Sequence, residues 1–158
     1  MNQPAPHLDI LPTRTSCLVL SLADRKLLVP STAVAEVLFS SEPPQAGDSE
    51  LSYGWVSWRD QRIPLISIEV ALGSARPALG DSYRMAVFNT IGAAVDTGFF
   101  AARLDAIPQS VQVSAQTVLV ADESPDKSGL LMESVVGDDR VWVPDLEAVE
   151  RQIAALPT

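Results

Sequence analysis

The segment that decides the fold reads GWVSWRDQRIPLISI and spans residues 54–68. Two apolar runs flank a charged centre at residues 59–62, and Trp58 stands beside the first arginine, Arg59. Apolar runs on either side of a short polar centre are typical of a β-hairpin. The segment therefore predicts a hairpin whose turn region presents an arginine next to aromatic rings, a surface suited to contact with another protein.

The composition indicates a folded protein with ample core. The chain has 158 residues, of which 47% are hydrophobic and 20% are charged, which suits one domain or two small subdomains that share a core. A net charge of −9 argues against nucleic-acid binding, which needs a basic face. No apolar run reaches the roughly 18 to 20 residues that span a bilayer. The N-terminus also lacks a signal-peptide layout, so we expect a cytoplasmic protein without direct membrane insertion.

The first half predicts short strands around one hairpin. We expect a flexible N-terminal tail at residues 1–14, followed by a single domain at 15–158. The predicted features are strands at 17–22 and 27–29, a short helix from Ser31 to about residue 35, an extended segment at 37–39, and an exposed loop at 40–52. After the hairpin, Ser67 is expected to cap one helical turn that ends near Gly73. Residues 73–82 are predicted to be a crossover between two halves.

The second half also predicts short strands, and these favour a mainly-β architecture. The strands are expected at residues 83–90, 98–104, 107–113, 118–121, 130–135 and 141–143. A polar turn is expected at 122–129 and a tight hairpin turn at 137–139. Asp145 is expected to cap a C-terminal helix, in which Leu146, Val149, Ile153 and Leu156 repeat every three to four residues.

One short pattern recurs along the chain. Residues 27–31 (LLVPS) and 141–145 (VWVPD) both read as strand, proline and capping residue, and residues 63–67 (IPLIS) are a looser relative. Strand, proline and cap also form a common combination by chance. Duplicated barrel-like halves and coincidence therefore both remain open.

The residues offer little for catalysis. The single histidine, His7, lies in the tail, and one histidine with one cysteine cannot build a His/Cys metal site. Cys17 lies in an apolar run, which favours a buried small hydrophobe over a reactive thiol. Acidic residues at 122–126 and 138–139 lie among turn residues, where solvated loop charge is the favoured interpretation. No phosphate-binding or dinucleotide motif occurs, so we expect neither an enzyme nor a cofactor.

The aromatic residues of the hairpin allow two interpretations. Trp55 and Trp58 are three positions apart and so lie on opposite faces of a strand, which means that at most one needs to be core. Trp58 and Arg59 either form an anchor pair at an interface, or the tryptophan covers the core with the arginine stem packed on it. Spacing alone does not distinguish these alternatives.

Residues 54–68 resemble the central motif of the CheW family of chemosensory adaptor proteins. That motif runs glycine, two apolar residues, Asn-Leu-Arg-Gly, a polar step, and then apolar-Pro-apolar-apolar-Asp-Leu. Residues 34–37 (VAEV) are similar to the family's Val-x-Glu-apolar element, and residues 143–146 (VPDL) fit its closing segment. The resemblance extends over residues 15–155.

The resemblance implies a fold, a function and partners. The fold would be two intertwined five-stranded β-barrels, similar to SH3 domains, that share an apolar core, with short helices and a C-terminal helix. The function would be that of a non-enzymatic adaptor, which couples the cytoplasmic tips of methyl-accepting chemoreceptors to a CheA-type histidine kinase at membrane-associated receptor arrays. Val34, Glu36 and Arg59 match the family's receptor-binding surface, and Val37 and Trp58 beside them complete the candidate partner-binding set. We also expect Glu36 and Arg59 to interact.

Three residues depart from the family motif. Ser57, Asp60 and Ser67 replace its asparagine, glycine and aspartate. Asp60 tolerates a left-handed turn and adds a carboxylate next to Arg59, which favours a specialised or accessory adaptor. The tryptophan-rich motif and the acidic loop resemble the variants of type IV pilus chemosensory systems, such as ChpC and PilI, which act in twitching motility. The alternative is a stand-alone β-barrel that binds a small ligand or peptide, which requires an enclosed pocket with converging polar groups.

Overall fold

The computed structural model describes residues 14–45, 49–114, 118–122 and 130–156. Nearly all of the predicted tail, and residues 123–129 of the predicted polar turn, lie outside these ranges. Two α-helices and one 3-10 helix accompany the strands within them: the 3-10 helix (Ser31–Ala33), α1 (Ile68–Ala71) and α2 (Leu146–Ala154). The strands are β1 (Thr15–Ser21), β2 (Lys26–Pro30), β3 (Val34–Ser40), β4 (Ser52–Trp58), β5 (Gln61–Ile66), β6 (Tyr83–Asn89), β7 (Phe99–Leu104), β8 (Gln109–Val113), β9 (Val118–Asp122), β10 (Leu130–Val136) and β11 (Asp139–Pro144).

The strands form two sheets that exchange chain segments. One sheet has the order β3-β6-β7-β5-β4, and the other has the order β8-β1-β2-β11-β10-β9. The N-terminal hairpin thus shares a sheet with the C-terminal strands, while the middle of the chain builds the other. The predicted mainly-β fold with two intertwined β units and a C-terminal helix is confirmed. The sheet that contains both ends of the domain has six strands where the resemblance implied five.

Three apolar clusters correspond to two barrel interiors and a shared core. Tyr53, Val56, Trp58 and their neighbours fill the five-stranded unit. Cys17, Val19, Leu28 and Val141 fill the six-stranded unit. The largest cluster joins residues of both sheets to the two α-helices, and its members include Leu27, Phe88, Phe100 and Val149. Each fully buried side chain of this kind stabilises the fold by roughly 1.5–3 kcal/mol.

Residues 73–82 do not connect the two sheets, so the predicted crossover at this segment is wrong. They run from the end of α1, which follows β5, to the start of β6. Both β5 and β6 belong to the same five-stranded sheet. The chain changes sheet after β2, where Pro30 has the extended backbone of φ −61° and ψ 143° and the 3-10 helix follows. It changes back between β7 and β8. Glycine and proline mark a turn, but they do not indicate which sheets the turn joins.

The recurring strand-proline-cap segments lie side by side. Strands β2 and β11 pair in parallel, with Leu27 opposite Trp142, at the centre of the six-stranded sheet. The looser third relative, β5, pairs in parallel with β7 in the other sheet. Each of the three segments therefore has a parallel neighbour, and β2 and β11 are the parallel neighbours of each other.

The predicted exposed loop at residues 40–52 is partly structured and partly buried. Gln45 exchanges two backbone hydrogen bonds with Trp55, at 2.9 and 2.8 Å, and Ser52 opens β4. Leu51 is buried and its carbonyl oxygen accepts a hydrogen bond from the backbone N–H of Ser67 at 2.9 Å. The prediction of an exposed loop is confirmed at residues 41–43 and 45, and residues 46–48 lie outside the described ranges. It is wrong at the C-terminal end, where Leu51 and Ser52 are buried.

The predicted helix caps at Ser67 and Asp145 and the predicted cysteine environment are confirmed, whereas the predicted cap at Ser31 is wrong, because Ser31 is the first residue of the 3-10 helix and no side-chain cap forms there. The Ser67 hydroxyl accepts a hydrogen bond from the N–H of Val70 at 3.2 Å, and the Asp145 carboxylate accepts one from Ala148 at 3.2 Å. Cys17 is buried, and its burial raises the pKa of its thiol. Within the described ranges, no helix combines the length and the apolar character needed to cross a membrane.

Candidate functional site

The tip of the β4–β5 hairpin is a two-residue turn. Trp58 pairs with Gln61, which leaves Arg59 and Asp60 as the turn, with φ values of 47° and 63°. Positive φ at both central residues is the type I′ turn, which Asn-Gly usually fills. Gln61 and Arg62 belong to β5, so the turn is shorter than the charged centre in the sequence. The left-handed backbone costs an L-residue roughly 1–2 kcal/mol, and arginine tolerates it less well than aspartate.

Trp58 is a core residue that supports the turn. Only 5% of its surface is exposed, and its ring packs against Phe99 with centroids 4.8 Å apart. Its indole N–H donates a hydrogen bond to Oε1 of Glu36 at 3.0 Å. Of the two interpretations of Trp58, the structure favours the core residue, with the arginine packed on it.

The side chain of Arg59 contacts both the ring of Trp58 and the carboxylate of Glu36. The guanidinium carbon is 4.6 Å from the centroid of the Trp58 ring, and Nη2 is 3.4 Å from the same Oε1 atom of Glu36. The expected interaction between Glu36 and Arg59 is confirmed. The side chain of Arg59 remains 65% exposed, and an exposed ion pair contributes only about 0–1 kcal/mol. The ion pair with Glu36 therefore adds little stability, and its main effect is to orient the guanidinium of Arg59.

Glu36 reaches the hairpin because the five-stranded sheet is strongly curled. Strand β3 forms one end of that sheet and β4 forms the other, yet Glu36 on β3 bonds Trp58 on β4. A bulge lies between Val34 and Glu36, which face Phe88 and Val87 of β6. The contact joins the two edge strands of the sheet through side chains. We call Glu36, Trp58 and Arg59 the Glu36 cluster.

The two predicted valines lie outside this cluster. Val34 packs against the shared core. Val37 is 37% exposed and alternates along β3 with Glu36, so it lies on the opposite face of the strand. Phe39 lies on that same outer face, is 63% exposed, and has the guanidinium of Arg84 5.4 Å from its ring centroid. Phe39 was missed, although the alternation of Val37 and Phe39 along one strand is a signal that could have identified it.

Two buried carboxylates were also missed, and both bind backbone N–H groups. Glu69 on α1 accepts hydrogen bonds from the N–H of Ala23 at 2.8 Å and from the Ser67 hydroxyl at 2.9 Å. Glu150 on α2 accepts bonds from Ile91 at 2.7 Å and from Gly92 at 2.9 Å. A buried carboxylate with satisfied acceptors fixes the segment that it binds. These two residues hold the β1–β2 turn and the β6–β7 loop in place.

Tyr53 attaches the segment at 73–82 to β4. Its hydroxyl donates a hydrogen bond to the carbonyl oxygen of Pro77 at 2.6 Å, and the guanidinium of Arg76 lies 4.6 Å from its ring centroid. Burial raises the pKa of Tyr53 to about 12, and the negative charge of Glu69 adds to the shift. The phenol therefore stays protonated, as the bond to Pro77 requires.

The described side chains form a surface suited to recognition. In the part of the chain that the structure covers, no three His, Cys, Asp or Glu residues are placed to share a metal ion. The arginine of the Glu36 cluster is an exposed polar group that the fold orients through two contacts, one with the Trp58 ring and one with the Glu36 carboxylate. An arginine supported by an aromatic ring is a frequent energetic centre of protein interfaces.

Comparisons with known proteins relate this chain to a family. The family model described as the CheW-like domain matches residues 16–153. Among solved structures, the chain is similar to the scaffolding protein TtCheW from Thermoanaerobacter tengcongensis, with a TM-score of 0.66 and 14% sequence identity. The superposition covers 92% of this chain and 91% of that one. No curated protein sequence gives a significant match.

Proposed function

Since the chain belongs to the CheW-like domain family, we propose that it is a non-enzymatic adaptor that couples a chemoreceptor to a CheA-type histidine kinase. The observation that carries the proposal is the Glu36 cluster. An arginine at the hairpin tip is held in one direction by a buried tryptophan and by a carboxylate on the opposite edge strand. Its guanidinium is thereby presented to a partner, and we assign partner binding to this surface.

Preorganisation is the physical reason for this assignment. Immobilising a long side chain at an interface costs about 0.5–1.5 kcal/mol. The stacking of Arg59 on Trp58 and its contact with Glu36 meet part of that cost before a partner arrives. The exposed donors of the guanidinium then favour carboxylate or carbonyl oxygens on the partner.

The backbone of Arg59 supports the same assignment. Its φ of 47° lies in the left-handed region, where glycine or asparagine would fit with less strain. Strained residues concentrate at functional positions, where the surrounding structure holds them. The arginine at this position therefore points to a role for its side chain.

The outer face of β3 extends the proposed surface. Val37 and Phe39 expose apolar area there, and β3 is an edge strand of the five-stranded sheet. We propose that a receptor tip or the kinase contacts the Glu36 cluster with polar groups and this face with apolar ones. Val34 supports the surface from the core side.

The pathway that we propose is a type IV pilus chemosensory system that controls twitching motility. The support is the tryptophan-rich hairpin and the acidic stretch before it, both of which resemble the adaptors of such systems. The protein would act in the cytoplasm and join receptor arrays at the membrane through its partners. Deletion of the gene should then impair twitching and leave swimming chemotaxis intact; the opposite phenotype would contradict the pilus assignment.

The adaptor function is tested with purified partners. The wild-type chain is mixed with the cytoplasmic fragment of a chemoreceptor and with a CheA-type kinase from the same genome, and affinities are measured for each. Arg59→Glu should weaken at least one association about tenfold or more, because a charge reversal at an interface costs at least 1.4 kcal/mol. Arg62→Glu is the matched control, since Arg62 is an exposed arginine on the neighbouring strand.

The possible results separate the function from the site. If the wild-type chain binds neither partner, the adaptor function is wrong. If it binds them and Arg59→Glu binds equally well, the adaptor function stands and the Glu36 cluster is not the contact surface. If both charge reversals weaken binding equally, the effect is general electrostatics and not the geometry of the cluster.

A further inference from the structure

A second surface lies midway along the β4–β5 hairpin, where α2 meets the outer face of β4 and β5. A recess of about 90 Å³ opens there between the hairpin, the β6–β7 loop and the last turn of α2. Its apolar lining includes Trp55, Pro64, Val95, Ile153 and Leu156. Trp55 and Pro64 face each other across the two strands. We call this feature the α2 recess.

The volume of the α2 recess suits a side chain better than a single solvent molecule. One water needs roughly 10–15 Å³ of such space, and it needs two to four polar partners. The α2 recess is several times larger and mostly apolar, so water gains little there. An aliphatic side chain would replace weakly held water and bury apolar area, which is favourable.

The walls of the α2 recess are fixed before anything binds. Glu150 on α2 accepts hydrogen bonds from Ile91 and Gly92, which open the β6–β7 loop. Within that loop, the N–H of Thr90 donates to the carbonyl of Gly98 at 3.1 Å, and the N–H of Gly98 donates to Val95 at 3.1 Å. A preformed pocket binds with a smaller loss of conformational entropy.

The charge around the α2 recess specifies the occupant further. Of the described residues that line it, only Asp96 carries a charge. Glu147 is exposed on α2, and its carboxylate lies close to Gly92 of the β6–β7 loop. Arg151 follows on α2 but does not line the recess. With a net charge of −9 on the whole chain, the field here favours a basic partner.

We propose that the α2 recess binds one aliphatic side chain from a basic segment of a partner protein. The side chain would insert between Trp55, Val95 and Ile153, while lysine or arginine residues beside it would face Asp96. This surface goes beyond the function proposed above, because it uses none of the residues of the Glu36 cluster.

The test uses three short amphipathic peptides as probes. The first contains leucine and lysine, the second has glutamate in place of lysine, and the third has serine in place of leucine. Binding is followed through the indole N–H signals of Trp55, Trp58 and Trp142 in NMR titrations, assigned with single Trp→Phe variants. We expect the leucine-lysine peptide to shift the Trp55 signal, and we expect at least about tenfold weaker binding from each of the other two.

Two matched variants locate the contact. Ala154→Phe fills the α2 recess, because Ala154 lines it and is exposed, and should reduce the affinity of the leucine-lysine peptide about tenfold. Ala155→Phe makes the same change one residue further on, outside the lining, and should leave the affinity within about twofold. Asp96→Lys should weaken binding without moving the Trp58 signal.

Several results would overturn the proposal. If the glutamate peptide binds as tightly as the leucine-lysine peptide, the partner segment need not be basic. If the serine peptide binds as tightly, the aliphatic side chain is not required and the binding is general attraction between charges. Unchanged affinity in Ala154→Phe would place the peptide elsewhere. Arg59→Glu should bind the leucine-lysine peptide normally, so a loss of receptor or kinase binding in that variant concerns only the Glu36 cluster.

Discussion

The carboxylate of Glu36 accepts a hydrogen bond from the indole N–H of Trp58 across 3.0 Å. The two residues lie on strands at opposite ends of the five-stranded sheet. The bond therefore joins the two edges of a curled sheet and satisfies the one polar atom of a buried tryptophan. The same oxygen contacts the guanidinium of Arg59, so one carboxylate oxygen both joins the two edge strands and helps to orient the arginine.

The Glu36–Trp58 bond predicts different effects for two substitutions of Glu36. Glu36→Gln keeps an oxygen that can accept the indole N–H, so the free energy of unfolding should fall by less than about 1 kcal/mol. Glu36→Ala leaves a buried donor without its partner and should cost about 1–3 kcal/mol. Urea unfolding monitored by fluorescence measures both values. Equal losses in the two variants would show that the bond to Trp58 contributes nothing.

The hairpin turn predicts that glycine stabilises the protein at one position and not at another. Asp60→Gly removes the cost of a positive φ and should raise the free energy of unfolding by up to about 1 kcal/mol. Asp138→Gly is the matched control in the β10–β11 turn, where Gly137 carries the positive φ and Asp138 does not. That control should lower stability, since it adds freedom only to the unfolded chain. The prediction fails if both glycines shift the urea midpoint in the same direction.

Glu150 is predicted to hold the β6–β7 loop. Glu150→Ala removes the acceptor of two partly buried backbone N–H groups, so the free energy of unfolding should fall by about 1–3 kcal/mol in total. Hydrogen exchange at the amides of Ile91 and Gly92 should accelerate in this variant more than exchange elsewhere. Glu147→Ala, on the exposed face of the same helix, should change stability by no more than about 0.5 kcal/mol. Slow exchange at Ile91 in Glu150→Ala would contradict the role of this carboxylate.

The raised pKa of Tyr53 predicts that the protein loses stability in alkaline solution. Its pKa is about 12 in the folded chain, against an ordinary value of 10.0. The folded state therefore binds the phenolic proton more tightly than the unfolded state, so the stabilisation is complete below pH 10 and is lost as the pH rises from about 10 towards 12. Tyr53→Phe should show a smaller fall in the free energy of unfolding across this window. Identical pH profiles for the two proteins would refute the shift.

The local elements of this protein follow from its sequence. Ser67 and Asp145 begin helices because a short polar side chain accepts the N–H groups that open a helix, and the spacing of Leu146, Val149 and Ile153 already specifies the buried face of α2. The hairpin at residues 54–68 follows from two apolar runs around a polar centre. The mainly-β architecture and the family resemblance rest on the same local patterns.

The tertiary structure decided which of these elements meet. Glu36 and Trp58 are 22 residues apart and Ile91 and Glu150 are 59 apart, and no local preference specifies such partners. The place where the chain changes sheet, the parallel pairing of β2 with β11, and the burial of Glu69 and Glu150 likewise depend on packing between distant segments. Local backbone preferences and apolar periodicity act over a few residues, so the sequence by itself specified the strands, caps and turn. Long-range packing, which selects among many possible pairings of those pieces, gave Arg59 its direction and formed the α2 recess.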